Sequence, residues 1–423
     1  MRNLLADLTP LRESPDFRRL FVGLGLSSIG TQLTVVAVSL QIYSLTRSTL
    51  AVGLLGIFAL LPLVFAGLYG GSIIDSLDRR KVALASAAVL WAVTIGIALQ
   101  AWLGLHETWI LYLLVAIQSG AAGINQPARS AIIPRLVRLE LLPAANALSM
   151  IVFGLGTTVG PLLAGILVAN IGYAWTYTID VLTFTASLWA LFALPPMLPE
   201  GKVRKAGLGS VLEGLTFLGT RPNVRMTFLV DLCAMVFAMP RSLLPAIGAV
   251  WLGGGEETAG VLLAAIAAGS LLAALFSGPL GQVRRQGLAV VWSVTVWGMA
   301  IAAMGAAVAL GGRHSGEGTS PWIIAAVFAL VVSGVADSVS SVFRSTILQA
   351  ATPDHLRGRL QGVFVVVVAG GPRLGDLFAG GTGQVLGEAL AAVVGGGLCI
   401  AAVWLLARWQ PRFLHYDALH PEP

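Results

Sequence analysis

The stretch Gly70-Gly71-Ser72-Ile73-Ile74-Asp75-Ser76-Leu77-Asp78-Arg79-Arg80-Lys81 follows one long apolar run, 50–69, and precedes another, 82–103. It holds two acids and three consecutive cations between segments that are each long enough to cross a bilayer, for which roughly 20 apolar residues suffice. The same alternation of long apolar runs and short charged links continues in both directions. Of 423 residues, 57% are hydrophobic and only 11% are charged, against about 25% charged in soluble domains. The mean hydropathy is +0.85, and the 50 glycines suit closely packed membrane helices. An all-α membrane protein is expected, with spans at roughly 18–46, 50–75, 82–103, 108–130, 144–169, 173–195, 222–250, 258–281, 288–310, 321–350, 360–387 and 388–409. Twelve spans use about 240 residues and leave no room for a large soluble domain.

The net charge is +6, and its distribution decides what that means. With the N-terminus in the cytoplasm, Arg47 and Arg313 fall outside, Arg241 and Arg373 fall within spans, and 22 of the 26 Lys and Arg lie in or beside cytoplasmic segments. That asymmetry is the positive-inside rule. The basic balance therefore reports topology, with both termini cytoplasmic, and nucleic acid is not an expected partner. Phe17-Arg18-Arg19 precedes a first apolar run too long for a signal peptide, and no convincing cleavage site follows it. Cys233 and Cys399 lie inside apolar runs, and neither they nor the five histidines show metal-ligand spacing. With no nucleotide-binding loop and no catalytic triad in the sequence, an enzyme is not expected, and neither is a metal or a cofactor.

An internal repeat divides the chain. Arg129-Ser130-Ala131-Ile132-Ile133 recurs as Arg344-Ser345-Thr346-Ile347-Leu348, and Gly160-Pro161-Leu162-Leu163 as Gly371-Pro372-Arg373-Leu374. The pattern of Gly71 to Lys81 has a worn counterpart at 278–285, where Gln282 stands in the place of Asp75. Parallel repeats of this kind predict two six-helix, pseudo-symmetric halves. The expected divisions are 1–195, a cytoplasmic linker 196–221, 222–410 and a cytoplasmic tail 411–423.

With the repeat in place, the whole chain resembles twelve-helix transporters of the major facilitator superfamily, in particular their drug/siderophore exporter branch. Gly71, Asp75, Arg79 and Arg80 fill the family pattern between helices 2 and 3, with Asp78 where a glycine is more usual. Further residues behind the resemblance are Phe17-Arg18-Arg19-Leu20, Gln126-Pro127-Ala128-Arg129, Ala145-Asn146-Ala147-Leu148 and Thr352-Pro353-Asp354-His355-Leu356-Arg357-Gly358-Arg359. Gly156, Gly160, Pro161 and Gly165 in span 5 are similar to the Gly-Pro pattern of antiporters. The resemblance implies alternating access and export of a siderophore or amphiphilic drug across a bacterial inner membrane, by a chain that needs no partner subunit.

Each constellation has a bland reading beside the functional one. Asp75 is expected to accept bonds from its loop cations or to face the N-terminus of span 11, favouring closure of the cytoplasmic side; otherwise the loop is simply solvated. Gly156 and Gly160 form a small-residue face, for which Gly260, Ala264, Ala268 and Gly269 of span 8 offer a matching surface. Ionisable residues inside spans cost about 2.5–3.5 kcal/mol each near the bilayer centre. Asp231, Asp337 and Asp376 are therefore candidate proton carriers, with Arg241 and Arg373 as substrate ligands or counter-charges, or else the charges only tie helices together. Arg373 and Asp376, three apart, are placed to pair. Gln32 and Gln118 are candidate cavity-lining groups or helix-to-helix hydrogen bonds. Arg129 and Arg344 close spans 4 and 10 and are expected either to meet acids across the cytoplasmic gate or to anchor in headgroups. The expected function is a proton-coupled antiporter working on a small molecule in the lipid bilayer. Its rivals are a lysophospholipid transporter of the same fold and a non-transporting membrane receptor or assembly protein.

Overall fold

The structure, a computed structural model, describes residues 7–197, 216, 218–314, 318–350 and 354–418, with side chains except at 68–76, 279, 349, 354–366, 368 and 369. Most of the expected linker 196–221 and the Thr352-Pro353 motif lie outside the described residues. The long helices are α1 (Pro15–Thr46), α2 (Thr49–Ser76), α3 (Arg79–Trp102), α4 (Thr108–Leu136) and α5 (Leu142–Phe192). They are followed by α6 (Pro222–Phe237), α7 (Gly255–Leu275), α8 (Gln286–Gly311), α9 (Ile323–Ala350), α10 (Asp354–Leu386) and α11 (Glu388–Trp409). Among the described residues, nine helices are long and apolar enough to cross a membrane. One of them, α5, has 51 residues, near 75 Å of helix at 1.5 Å per residue, which is two crossings of a bilayer core about 30 Å thick. It breaks at Gly172, whose φ of 77° is open to glycine and strained for other residues. The remaining segments, 222–251 and α10, complete a pattern consistent with twelve crossings.

Span 7 departs from the continuous helix expected over 222–250. Helix α6 stops at Phe237, residues 238–243 form a turn, and a short helix at Leu244–Ala246 runs into a widened turn at 247–251. Pro240 supplies the reason, since it has no N–H to donate and its ring clashes with the preceding turn. Arg241, expected deeper along one helix, instead sits exposed in this break.

The chain forms two compact units, one of residues 1–41 and 58–206, the other of 42–57 and 207–423. In the first, Phe17, Leu20, Ile132, Leu148 and Leu191 pack as one core. In the second, α8 packs on α9 and α11 and supplies Val290, Val294, Trp297 and Met304 to a larger core. Packing of helices across apolar faces is what holds such bundles, because lipid gives no hydrophobic drive for their association.

A similar tie closes each unit. In the first, the connection expected at 71–81 shortens to Leu77 and Asp78, because α2 continues to Ser76. Buried Asp78 caps α3, accepting from the N–H of Arg80 at 3.0 Å and from the N–H of Met197 at 3.1 Å. The Arg79 N–H donates in turn to the Met197 carbonyl at 3.1 Å. The chain just beyond α5 is thereby fastened to the α2–α3 turn. In the second unit the chain beyond α11 is fastened to the turn before α8. Arg284 pairs with Asp417 at 2.8 Å, and the Ala418 N–H donates to the Arg284 carbonyl at 2.9 Å. Phe413 is fully buried beside it, and burial pushes the Tyr416 phenol above its ordinary range. The acid sits on the turn in one unit and on the tail in the other, so the worn sequence at 278–285 still has an acidic partner. Asp78→Ala removes a cap and leaves the Met197 N–H unbonded. An expected loss of about 1–2 kcal/mol is checked by thermal unfolding in detergent, with faster amide exchange at Met197 as its local signature.

Candidate functional site

The sharpest constellation lies in the second unit. Arg344 on α9 donates to Asp231 on α6, and its other terminal nitrogen is 3.7 Å from Asp337. The Asp231 and Arg344 side chains are 5% and 7% exposed, while that of Asp337 is 37% exposed. Helix geometry explains how one guanidinium serves both acids. Asp337 and Arg344 are seven residues apart, two turns along one face. Side chains on a helix lean toward its N-terminus, so the arginine reaches back to the aspartate. Asp231 then approaches from α6. From the sequence, Arg344 is expected either to meet acids at a gate or to anchor in headgroups; it meets acids, and they are Asp231 and Asp337 of its own unit. Its helix runs on to Ala350, as the expected span 321–350 has it, and the side chain leans back from that end into the protein. The seven-residue spacing was the signal available for finding it.

These residues line a cavity of about 200 Å³ with Thr227, Phe228, Met235, Ser341, Ser345 and Leu348. Drug-sized ligands occupy roughly 300–1,000 Å³, so this cavity holds one polar group of such a molecule and not the whole. One cation against two carboxylates leaves a net negative charge unless a proton is held. Breaking such a set by removing one member is costly, typically about 3–5 kcal/mol for a buried pair.

The charge continues along the unit. Arg241, from the break after α6, acts electrostatically on both Asp337 and Asp376. Asp376 and Arg373 interact through space, but among the described residues they form no ion pair within 4 Å, and Asp376 Oδ1 is buried without a hydrogen-bond partner. The expected pairing fails for an orientational reason. With the basic residue N-terminal, its long side chain leans away from the acid, and the reverse order is the favourable one. The backbone of this part of α10 is pressed against α2. A Cβ at Gly56 would stand 3.2 Å from the Arg373 carbonyl carbon, and one at Gly53 equally close to that of Asp376.

In the first unit, Arg79 donates to the carbonyl of Ala131 at 3.2 Å and Arg80 to those of Leu191 and Phe192. The Arg80 guanidinium also lies over the Phe192 ring, 5.6 Å from its centre. Both cations thus satisfy main-chain acceptors in the last turns of α4 and at the end of α5, where negative helix ends favour them. Gly71 and Asp75 lie on α2, and their side-chain surroundings are outside the described residues. Buried Arg129 reaches Ser187 at 2.9 Å and Ser27 at 3.3 Å, which places it among the helices of its own unit and corrects the expectation of a headgroup anchor.

The described contacts of Gly156 and Gly160 are with α1. A Cβ at Gly156 would run into Ser28, and one at Gly160 into the Cβ of Gln32. Gly269 of span 8 is taken by α9, against Val331 and Val335. Both small-residue faces are used inside their own units, by neighbours the sequence reading did not pair with them. Pro161 and Gly165 are buried in the same arm of α5. Gln32 serves as packing against Gly160, and among the described residues the Nε2 of buried Gln118 has no partner. Among the described residues no group of three His, Cys, Asp or Glu is placed to hold a metal.

An all-helical chain with many membrane crossings and a charged cavity within the bundle is a membrane transporter of the major facilitator type. Residues 5–421 match the family described as transmembrane secretion effector, and the chain belongs to that family. It is 33% identical over 405 residues to the enterobactin exporter EntS of Shigella boydii serotype 18, covering 95% of this chain and 94% of that one. It is 32% identical over the same length to EntS of Escherichia coli O81. Among solved structures, the POT family transporter PepTSo superposes with a TM-score of 0.74 at 12% identity, over 96% of this chain and 99% of the other. A bacterial homologue of the iron transporter ferroportin, in its inward-facing state, gives 0.66 at 15% identity, over 95% and 98%. At these identities the structures attest the fold alone.

Proposed function

We propose that this protein is a proton-coupled exporter of a siderophore-like or amphiphilic small molecule, acting as an antiporter by alternating access. In this reading it sits in a bacterial inner membrane as a monomer with both termini cytoplasmic. The observation that carries the reading is the set Asp231, Arg344 and Asp337 around one small cavity, in a chain whose relatives are named enterobactin exporters. Three ionisable groups inside a membrane bundle mark a pathway for protons or substrate by default.

The arrangement suits exchange. When both acids are ionised, Arg344 neutralises one, and the partly exposed Asp337 presents acceptor oxygens to the cavity. A hydrogen-bond donor of the substrate and a proton then compete for the same oxygens, so that loading one releases the other. A proton entering down about 150 mV yields roughly 3.5 kcal/mol, enough for a gradient of a few hundred-fold. Asp376, with Arg241 and Arg373, is the reserve carrier of the same charged row. Asp75, with Gly71, Arg79 and Arg80, is assigned to closing the cytoplasmic side, and the Gly156–Pro161 face to sealing the first unit.

The deciding experiment measures enterobactin efflux from proteoliposomes with and without an imposed pH gradient, for the native protein, Asp337→Asn and Asp231→Asn. The native protein is expected to accelerate with an inward proton gradient, and Asp337→Asn to lose that acceleration. Efflux by the native protein that ignores the gradient would sink the antiport reading.

A further inference from the structure

We propose that Asp180 is a second proton-carrying group of the transport cycle, served by a hydroxyl-lined seam between α1 and α5. The proposal rests on the export reading above. Asp180 is fully buried. Among the described residues its carboxyl oxygens meet hydroxyls only, Thr34 on α1 at one and Thr183 on its own helix at the other. Among the described residues it has no ion pair. Room for the carboxyl is made by Gly30, where a Cβ would collide with Asp180 and Thr183.

The placement is part of a longer pattern. Ser27 and Thr34 are seven residues apart on α1, and so are Asp180 and Ser187 on α5, so each pair spans two turns of one face. Ser27 and Ser187 hold the guanidinium of Arg129, whose buried Nε has no partner among the described residues. Thr34 and Thr183 hold Asp180. Among the described residues, then, one buried cation without an ion pair and one buried acid without an ion pair stand at the two ends of a single polar seam. The second unit does the opposite. There Arg344, which the internal repeat relates to Arg129, is met directly by two acids.

A buried carboxylate with no counter-ion is costly, and the neutral acid avoids that cost. The charge that appears when the proton leaves has a cation, Arg129, at the other end of the same seam, two helical turns along. Other ionisable groups facing this region are few. On α5 they are Tyr173 and Tyr177, the latter donating its hydroxyl to Gln41 at 2.8 Å. Helix α4 contributes Arg129. Helix α3 carries no ionisable side chain beyond Lys81, and α1 none between Arg19 and Tyr43. A hydroxyl both donates and accepts, so Thr34 and Thr183 can bond the acid in either protonation state, which a purely structural lysine or arginine partner would not allow.

The test uses the full chain in lipid and two independent readouts. Infrared spectroscopy follows the C=O stretch of protonated carboxyl groups across a pH series. The native protein is expected to show a titrating band that Asp180→Asn removes and Thr34→Val displaces. In proteoliposomes, pH-gradient-driven enterobactin efflux is expected to fall about tenfold in Asp180→Asn, and enterobactin counterflow to lose its dependence on pH. A band assigned to Asp180 that never titrates, together with native transport by Asp180→Asn, would overturn the proposal. So would the absence of any band that Asp180→Asn removes. If the native protein moves no enterobactin, the export reading fails, while the infrared series still decides whether Asp180 exchanges a proton.

Discussion

Arg344→Gln is expected to reduce efflux to the level of empty vesicles and to be the most destabilising single change in the charged row. The guanidinium is 7% exposed and bonds Asp231, itself 5% exposed. Glutamine fills much of the space but carries no charge, and it leaves two acids in one small cavity without their cation. Removing one partner of a buried pair costs about 3–5 kcal/mol, chiefly because the other charge is stranded. The comparison that isolates this cause is the double variant Arg344→Gln with Asp231→Asn. If the stranded charge is responsible, removing the acid as well restores much of the thermal stability, and the two effects are strongly non-additive. Efflux is not restored, because the exchange site is then gone. Full additivity would show instead that Arg344 acts through packing alone.

The membrane fold was legible because it rests on long runs of apolar residues, and such runs need no partner to be read. The break between the two arms of α5 was expected at 170–172, and the structure places it at Gly172. The contacts were not legible, because they depend on which helix faces which. Gly156 and Gly160 identify a face that admits a close neighbour, yet nothing in their spacing says that the neighbour is Ser28 and Gln32 of α1. The charges behaved likewise. Asp231 and Arg344 are 113 residues apart, and no local pattern joins them, whereas the Asp337–Arg344 spacing was readable once both were placed on one helix. Pro240 was a visible warning that span 7 would not be continuous. Asp78 stood out as a departure from the family pattern, and its role as a cap binding Met197 depended on chain 119 residues further on.

Gly334→Leu is expected to lower thermal stability and transport together, because it strikes a close backbone contact between α7 and α9 at the point where that contact positions the site. A Cβ at Gly334 would be driven into the Ile266 carbonyl, and one at Gly269 would be driven into that of Val331 and lie 3.0 Å from the Val335 N–H nitrogen. The obstacle in both cases is helical backbone, which cannot turn aside as a side chain can, so α7 and α9 must separate. Overpacking of this kind costs about 1–3 kcal/mol and sometimes more, against a gain of roughly 0.5–1 kcal/mol from replacing glycine within a helix. The two positions are coupled, since either substitution opens the same gap. Gly269→Ala and Gly334→Ala together should therefore cost less than the sum of the two separately, a result read from unfolding midpoints in detergent. Gly334 precedes Asp337 by three residues on α9, so a shift of the helix carries Asp337 and Arg344 away from Asp231 on α6. Transport per folded molecule is expected to fall in Gly334→Ala and in Gly269→Ala alike, although neither glycine lines the cavity. A stability loss with native transport per folded molecule would separate the helix contact from the site and show that Asp231 holds Arg344 without help from α7.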